Sequence, residues 1–219
     1  MQRFLLLLVV LGAIFGLPSL SFADEPNLVR DFSQASPNGE FLFVLLANDT
    51  IDSYNQAGSV LHNESLRQSY PQSGLYRNDG SNTPLWTVDW NANEVIVSSD
   101  GHSLVRWGPF PVAGRFDEVA LEFYRDGRLL RSYRVEDLVR EPSSLPETVS
   151  HYLWLKTSNY DDTIGQLSLE TETGEQYRFD LQSGAIVEAS GRFADMDLVR
   201  IALLVLVISG FFVVLLKRR

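Results

Sequence analysis

The side chains in this 219-residue chain that could move protons are three histidines, His62, His102 and His151, together with the carboxylates Asp89, Asp100 and Asp161. An imidazole titrates near neutrality and a neighbouring carboxylate can orient it, so a hydrolase would need some of Asp89, Asp100, His102, Asp161 and His151 to converge in one pocket. The histidines fall on different predicted elements, and none has the spacing of an HExxH or Cys/His metal site. The chain also lacks GxSxG, SxxK and a phosphate-binding loop, which removes local support for nucleophilic or phosphoryl-transfer chemistry. No catalytic residue, cofactor or metal site is therefore expected.

Three other groups are candidates for binding. Asn78-Asp79-Gly80-Ser81-Asn82 and Asn159-Tyr160-Asp161-Asp162-Thr163 are oxygen-rich, but neither has the spacing of an EF-hand or a repeat-type calcium loop, so both read as turns. Trp86, Trp90, Trp107 and Trp154 would form an aromatic platform for sugars if at least two were exposed and coplanar; otherwise they fill the core. Arg125, Arg128, Arg131 and Arg134 gather positive charge on one predicted hairpin. They would grip an anionic partner, or guard an edge strand against unwanted pairing.

The elements that position these residues read as mainly β. Short apolar or alternating runs are separated by turn dipeptides, with few stretches of helical period. Residues 40–47 form a dense apolar run of the kind buried on both faces. Trp86, Val88 and Trp90 alternate with Thr87 and Asp89. Asp100-Gly101 and Asp126-Gly127 each predict a two-residue hairpin, the first between residues 94–99 and 102–107, the second between 119–125 and 128–135. In the second, Arg125 would pair with Arg128, Tyr124 with Leu129, Phe123 with Leu130 and Glu122 with Arg131. Residues 135–140 predict a short helix and 141–147 an internal linker. Strands follow at 151–156, 166–171, 176–181 and 185–188, whereas 50–82 reads as a long loop with one short element. An antiparallel meander, sandwich-like sheet or partial propeller fits this pattern.

Two apolar segments flank that β-rich region. Residues 4–17 follow Arg3 and precede Ser21-Phe22-Ala23, the pattern of a signal peptide cut after Ala23, giving a signal peptide over 1–23. Residues 198–216 carry only Arg200 as an ionisable group and precede Lys217-Arg218-Arg219, the pattern of a C-terminal transmembrane α-helix whose cationic tail stays in the cytoplasm. Residues 24–197 would then be one extracytoplasmic domain. Leu145-Pro146-Glu147-Thr148-Val149 resembles a sortase signal, but Val149 replaces its glycine and the motif stands some 50 residues before the span. The span thus reads as a permanent anchor in the lipid bilayer.

All 28 acidic residues lie in 24–197 with 13 of the 18 basic ones, a formal charge of −15. Such a domain repels nucleic acid. There is no cysteine, so the fold must hold by burial alone, as is common in bacterial exported proteins, and 16 of the 18 basic residues are arginine.

From Thr83 to Ala189 a series of phrases stands out: Asp100-Gly101; Tyr124-Arg125-Asp126-Gly127-Arg128-Leu129-Leu130-Arg131-Ser132-Tyr133; Glu136-Asp137-Leu138; Ser150-His151 with Trp154; and Phe179-Asp180-Leu181 with Gly184. In this the chain resembles uncharacterised bacterial extracytoplasmic β-domains with DG hairpins and a C-terminal membrane anchor. The resemblance implies a bacterial β-domain and brings no reaction with it. The sequence thus leads to a single-pass protein of the bacterial inner membrane whose domain binds a protein partner or an envelope component. A membrane-anchored hydrolase acting on envelope glycans or peptides is the first alternative, and a carbohydrate-binding module the second.

Overall fold

The computed structural model describes residues 28–191 except Ala57 and Val149. The expected signal peptide and the expected span lie outside these residues, and none of the described helices is long and apolar enough to cross a membrane. The fold is mainly β with antiparallel sheets. Three four-stranded sheets follow one another along the chain, and in each the strands lie side by side in chain order. The first holds β2 (Phe32–Ala35), β3 (Phe41–Leu45), β5 (Gly74–Arg77) and β6 (Trp86–Thr87). The second holds β7 (Val95–Val97), β8 (Ser103–Trp107), β9 (Val119–Arg125) and β10 (Arg128–Arg134). The third holds β11 (Leu155–Asp161), β12 (Gln166–Thr171), β13 (Gln176–Asp180) and β14 (Ile186–Ser190). A short parallel pair, β1 (Val29–Arg30) with β4 (Val60–Leu61), stands apart.

Two apolar cores lie on opposite faces of the middle sheet. Adjacent residues in a strand point to opposite faces. Along β8, Leu104 accordingly joins Phe43, Leu45 and Leu75 of the first sheet, while Val105 joins Leu167 and Phe179 of the third. Along β9, Tyr124 faces the first core and Phe123 the second. All five residues from Ala120 to Tyr124 are buried, so this strand is the shared wall of both cores.

The second hairpin forms at Asp126-Gly127 as its residues predict, with φ of 50° and 75°. Its register departs from the expected one after two pairs. Arg128 lies opposite Arg125 and Leu129 opposite Tyr124, but Leu130 is bulged, and Arg131 takes its place opposite Phe123. The bulge brings Tyr133 opposite Leu121, onto the face of Phe123 and Phe179, where its hydroxyl donates to the Gly184 carbonyl at 2.8 Å. A straight register would have turned that ring to the other side.

The first hairpin is also corrected. Ser98 closes with Ser103, so the loop has four residues, and only Gly101 takes positive φ. Asp100 explains the choice: its carboxylate accepts from the backbone N–H of His102 and Ser103 and from the Ser98 and Ser103 hydroxyls, a local network that a two-residue turn lacks room for. The strand expected at 151–156 instead runs over Leu155–Asp161, while His151 and Tyr152 make isolated bridges to Val112 and Glu147. Trp86–Thr87 is all of the expected strand at 86–90 that pairs, although Trp86, Val88 and Trp90 do share one core.

The region 50–82 is more ordered than its polarity predicts. It contains β4, β5 and a helix, Glu64–Ser69, which buries no side chain. Six residues are too few for a helix to persist unaided. Asn63 caps it by accepting from the Leu66 N–H, and Arg67 clamps it to Asp31 through two bonds of 2.7 and 2.9 Å. The same carboxylate accepts from the backbone N–H of Ala47 and Asn63, and Arg67 also donates to the Ala47 carbonyl. Burial pushes the Asp31 pKa up, but the bonds from Arg67, Asn63 and Ala47 outweigh it and hold the group below its ordinary value.

Candidate functional site

The structure does not gather the acid–base candidates. Asp100 and His102 share one loop, and His102 Nδ1 lies 2.6 Å from Asp126, with both side chains about half exposed. This carboxylate–imidazole pair has no hydroxyl nucleophile in hydrogen-bond reach among the described residues. His151 is buried elsewhere, with its ring edge on Phe110 and Nδ1 at 2.8 Å from the Ser150 hydroxyl. His62 lies 3.2 Å from Asp49, beside the short helix. Asp89 lines an open groove, and Asp161 caps its own turn by accepting from the Thr163 N–H. In Asn78-Asp79-Gly80-Ser81-Asn82, Asp79 likewise accepts from the Ser81 N–H. Among the described residues no group of three or more His, Asp or Glu side chains is placed to hold a metal ion.

What the loop at 99–102 does instead is join three sheets. Ser99 receives the Asn38 N–H from the first sheet's turn on its hydroxyl, and its own N–H donates to Asp162 from the third. Trp86 Nε1 donates to the Gly101 carbonyl. Burial pushes Asp100 and Asp162 up, yet hydrogen bonds from Ser98, His102 and Ser103 to Asp100, and from Ser99 and Tyr160 to Asp162, leave both pKa values lowered. Glu175 is lowered in the same way, its burial outweighed by the hydroxyls of Thr171 and Thr173 and the N–H of Arg140. Depressed carboxyls stabilise the folded state above their ordinary pKa, and that contribution is lost as pH falls through the folded values. With Asp31, four such groups predict a melting temperature that is steady from pH 7 to 5 and drops below about pH 4. A thermal-denaturation series would contradict this if the melting point held constant down to pH 2.5.

The four tryptophans divide between the cores. Trp86 and Trp90 pack on Phe43 in the first, and Trp107 and Trp154 on the second, with their ring centroids 6.3 Å apart and planes tilted by 46°. None is exposed. Trp90 also faces the Arg106 guanidinium at 4.6 Å, and Tyr54 lies 3.9 Å from it. Arg106 is buried, donating to the Asn91 carbonyl and, at 2.8 Å, to Glu122, which accepts from the Tyr124 hydroxyl as well. In sequence this arginine looks like any polar residue between two apolar neighbours. Its partners come from residues 54, 91 and 122, and no local spacing announces them.

The arginine stripe stays together but is not uniform. Arg125 lies 3.8 Å from Asp100 and within hydrogen-bond reach of Ser103, and Arg134 is 3.5 Å from Glu136. Arg128 and Arg131 make no ion pair or side-chain hydrogen bond among the described residues. They stand on β10, an edge of its sheet, where every residue but Tyr133 is exposed. Beside the start of β10 opens a groove of about 550 Å³ lined by Gln72, Val88, Asp89, Trp90, Tyr124 and Leu129 among others. Gly127 and Thr87 also line it, packed so closely that a Cβ at 127 would lie only 2.7 Å from the Thr87 carbonyl oxygen. A second, smaller groove of about 220 Å³ crosses the outer face of β11–β14. Its rim is already neutralised by Arg178–Glu188 and Lys156–Glu170 pairs at 2.7 and 2.6 Å.

Neither protein-family models nor curated proteins yield a match to the chain.

Proposed function

We propose that the chain is a membrane-tethered binding domain, held by residues 198–216 on the extracytoplasmic face of a bacterial inner membrane, and that β10 is its contact surface. The observation that carries this reading is the pair Arg128 and Arg131, exposed on an open strand edge and without partners among the described residues, in a domain of strongly acidic charge. Free guanidinium groups favour carboxylates at contact range, against the acidic surface around them. A tether would further raise the local concentration of the domain at the membrane surface. The three successive four-stranded sheets favour the partial-propeller form of the expected fold.

The reading is tested in intact cells with a photo-crosslinking amino acid at position 129. A defined partner should be captured by the otherwise unchanged chain and captured at least ten times less after Arg128→Glu with Arg131→Glu. Equal capture by both would remove β10 from the reading. A reporter fused after Arg219 should remain inaccessible from outside the inner membrane; access to it would overturn the orientation.

A further inference from the structure

The two faces of β10 offer different chemistry. Residues directly opposite one another on paired strands share a face, as do residues two apart on one strand. Arg128, opposite Arg125, and Arg131, opposite Phe123, therefore lie on one face. Leu129, opposite Tyr124, lies on the other, where both line the 550 Å³ groove with Val88 and Trp90. Leu129 is about half exposed. Among the described residues the strand has β9 on one side only, which leaves its other edge open to a further strand.

A strand laid along that edge would present alternate side chains to the arginine face and to the groove face. Opposite charges across strands stabilise the pair and like charges oppose it. Carboxylates facing Arg128 and Arg131, with an apolar side chain facing Leu129, would satisfy both faces. A second copy of β10 would not, because antiparallel self-pairing sets arginine near arginine. The same charges that guard the edge against copies of itself admit a segment of opposite sign.

We infer that β10 receives an extended acidic segment of a partner protein as an added strand, with its carboxylates over Arg128 and Arg131 and an apolar residue against Leu129 at the mouth of the groove. This rests on the binding-domain reading and names the kind of partner. Backbone pairing supplies the common part of the affinity, and the alternation of acidic and apolar residues selects the sequence.

Fluorescence anisotropy with the full chain in a nonionic detergent tests it. The probes are a labelled peptide of strictly alternating Glu and Val, a peptide of the same composition with all Glu preceding all Val, and the alternating peptide N-methylated along one edge. The alternating peptide should bind at least ten times tighter than either control. Arg128→Glu with Arg131→Glu should weaken it at least tenfold, and Leu129→Asp should weaken it too. All three positions are exposed, and an unchanged far-ultraviolet circular dichroism spectrum would confirm that the variants fold. Equal binding of the block peptide, indifference to N-methylation or no binding of the alternating peptide would overturn strand addition. If these fail while the residue at 129 still captures an arginine-dependent partner in cells, the binding domain stands without this mode; if capture fails as well, both fall.

Discussion

Arg106→Ala should destabilise the domain by about 3–5 kcal/mol, the largest loss expected of any single polar substitution in it. Glu122 would be left buried without its cation, and the Tyr54 and Trp90 rings would lose the guanidinium between them. The contact with the rings adds about 2 kcal/mol where it is desolvated, which favours the upper end of that range. The cause can be separated from simple loss of volume. Arg106→Met combined with Glu122→Leu removes both charges and keeps the space filled, so it should recover part of the loss, although the Asn91 carbonyl and the Tyr124 hydroxyl still lose these partners. Urea denaturation of the three proteins decides the matter. If the double variant were as unstable as Arg106→Ala, the buried charge would not be the reason.

Asp31→Ala comes second, at about 3 kcal/mol, given several charge-assisted bonds and a partner arginine that is a third exposed. One carboxylate joins the start of β2, the end of β3 and the short helix, so its removal leaves the Ala47 and Asn63 N–H groups without their acceptor. The helix should suffer first, because no buried side chain holds it. Amide exchange at Arg67 and Tyr70, whose N–H groups bond to Asn63 and Leu66, should accelerate well before global unfolding. Unchanged protection there would refute the clamp.

Much of the β architecture can be read along the chain because its signals are local. Asp126-Gly127 supplies its own turn conformation, and alternation in residues 166–171 and 176–181 marks β12 and β13. The bulge at Leu130 leaves no such trace. Phe123 with Leu130 and Glu122 with Arg131 make a plausible ladder on paper, and what displaces them is the fit of Tyr133 against Phe179 and the Gly184 carbonyl, some fifty residues away. The order in residues 50–82 is hidden from the sequence for a related reason. Their order depends on Asp31 reaching Arg67 and on Tyr54 reaching Arg106, contacts to segments whose position sequence periodicity does not give. The arginine stripe is visible as composition, but which of its members are already neutralised depends on Asp100 and Glu136 in space.

A strand walled by both cores has a thermodynamic consequence. Because β9 closes the cores on either side and runs directly into the turn that begins β10, neither lobe can come apart without loosening the rim beyond it. Heat should therefore melt the described region in one cooperative step, and whatever docks on that rim would raise the melting point of the lobe it never touches.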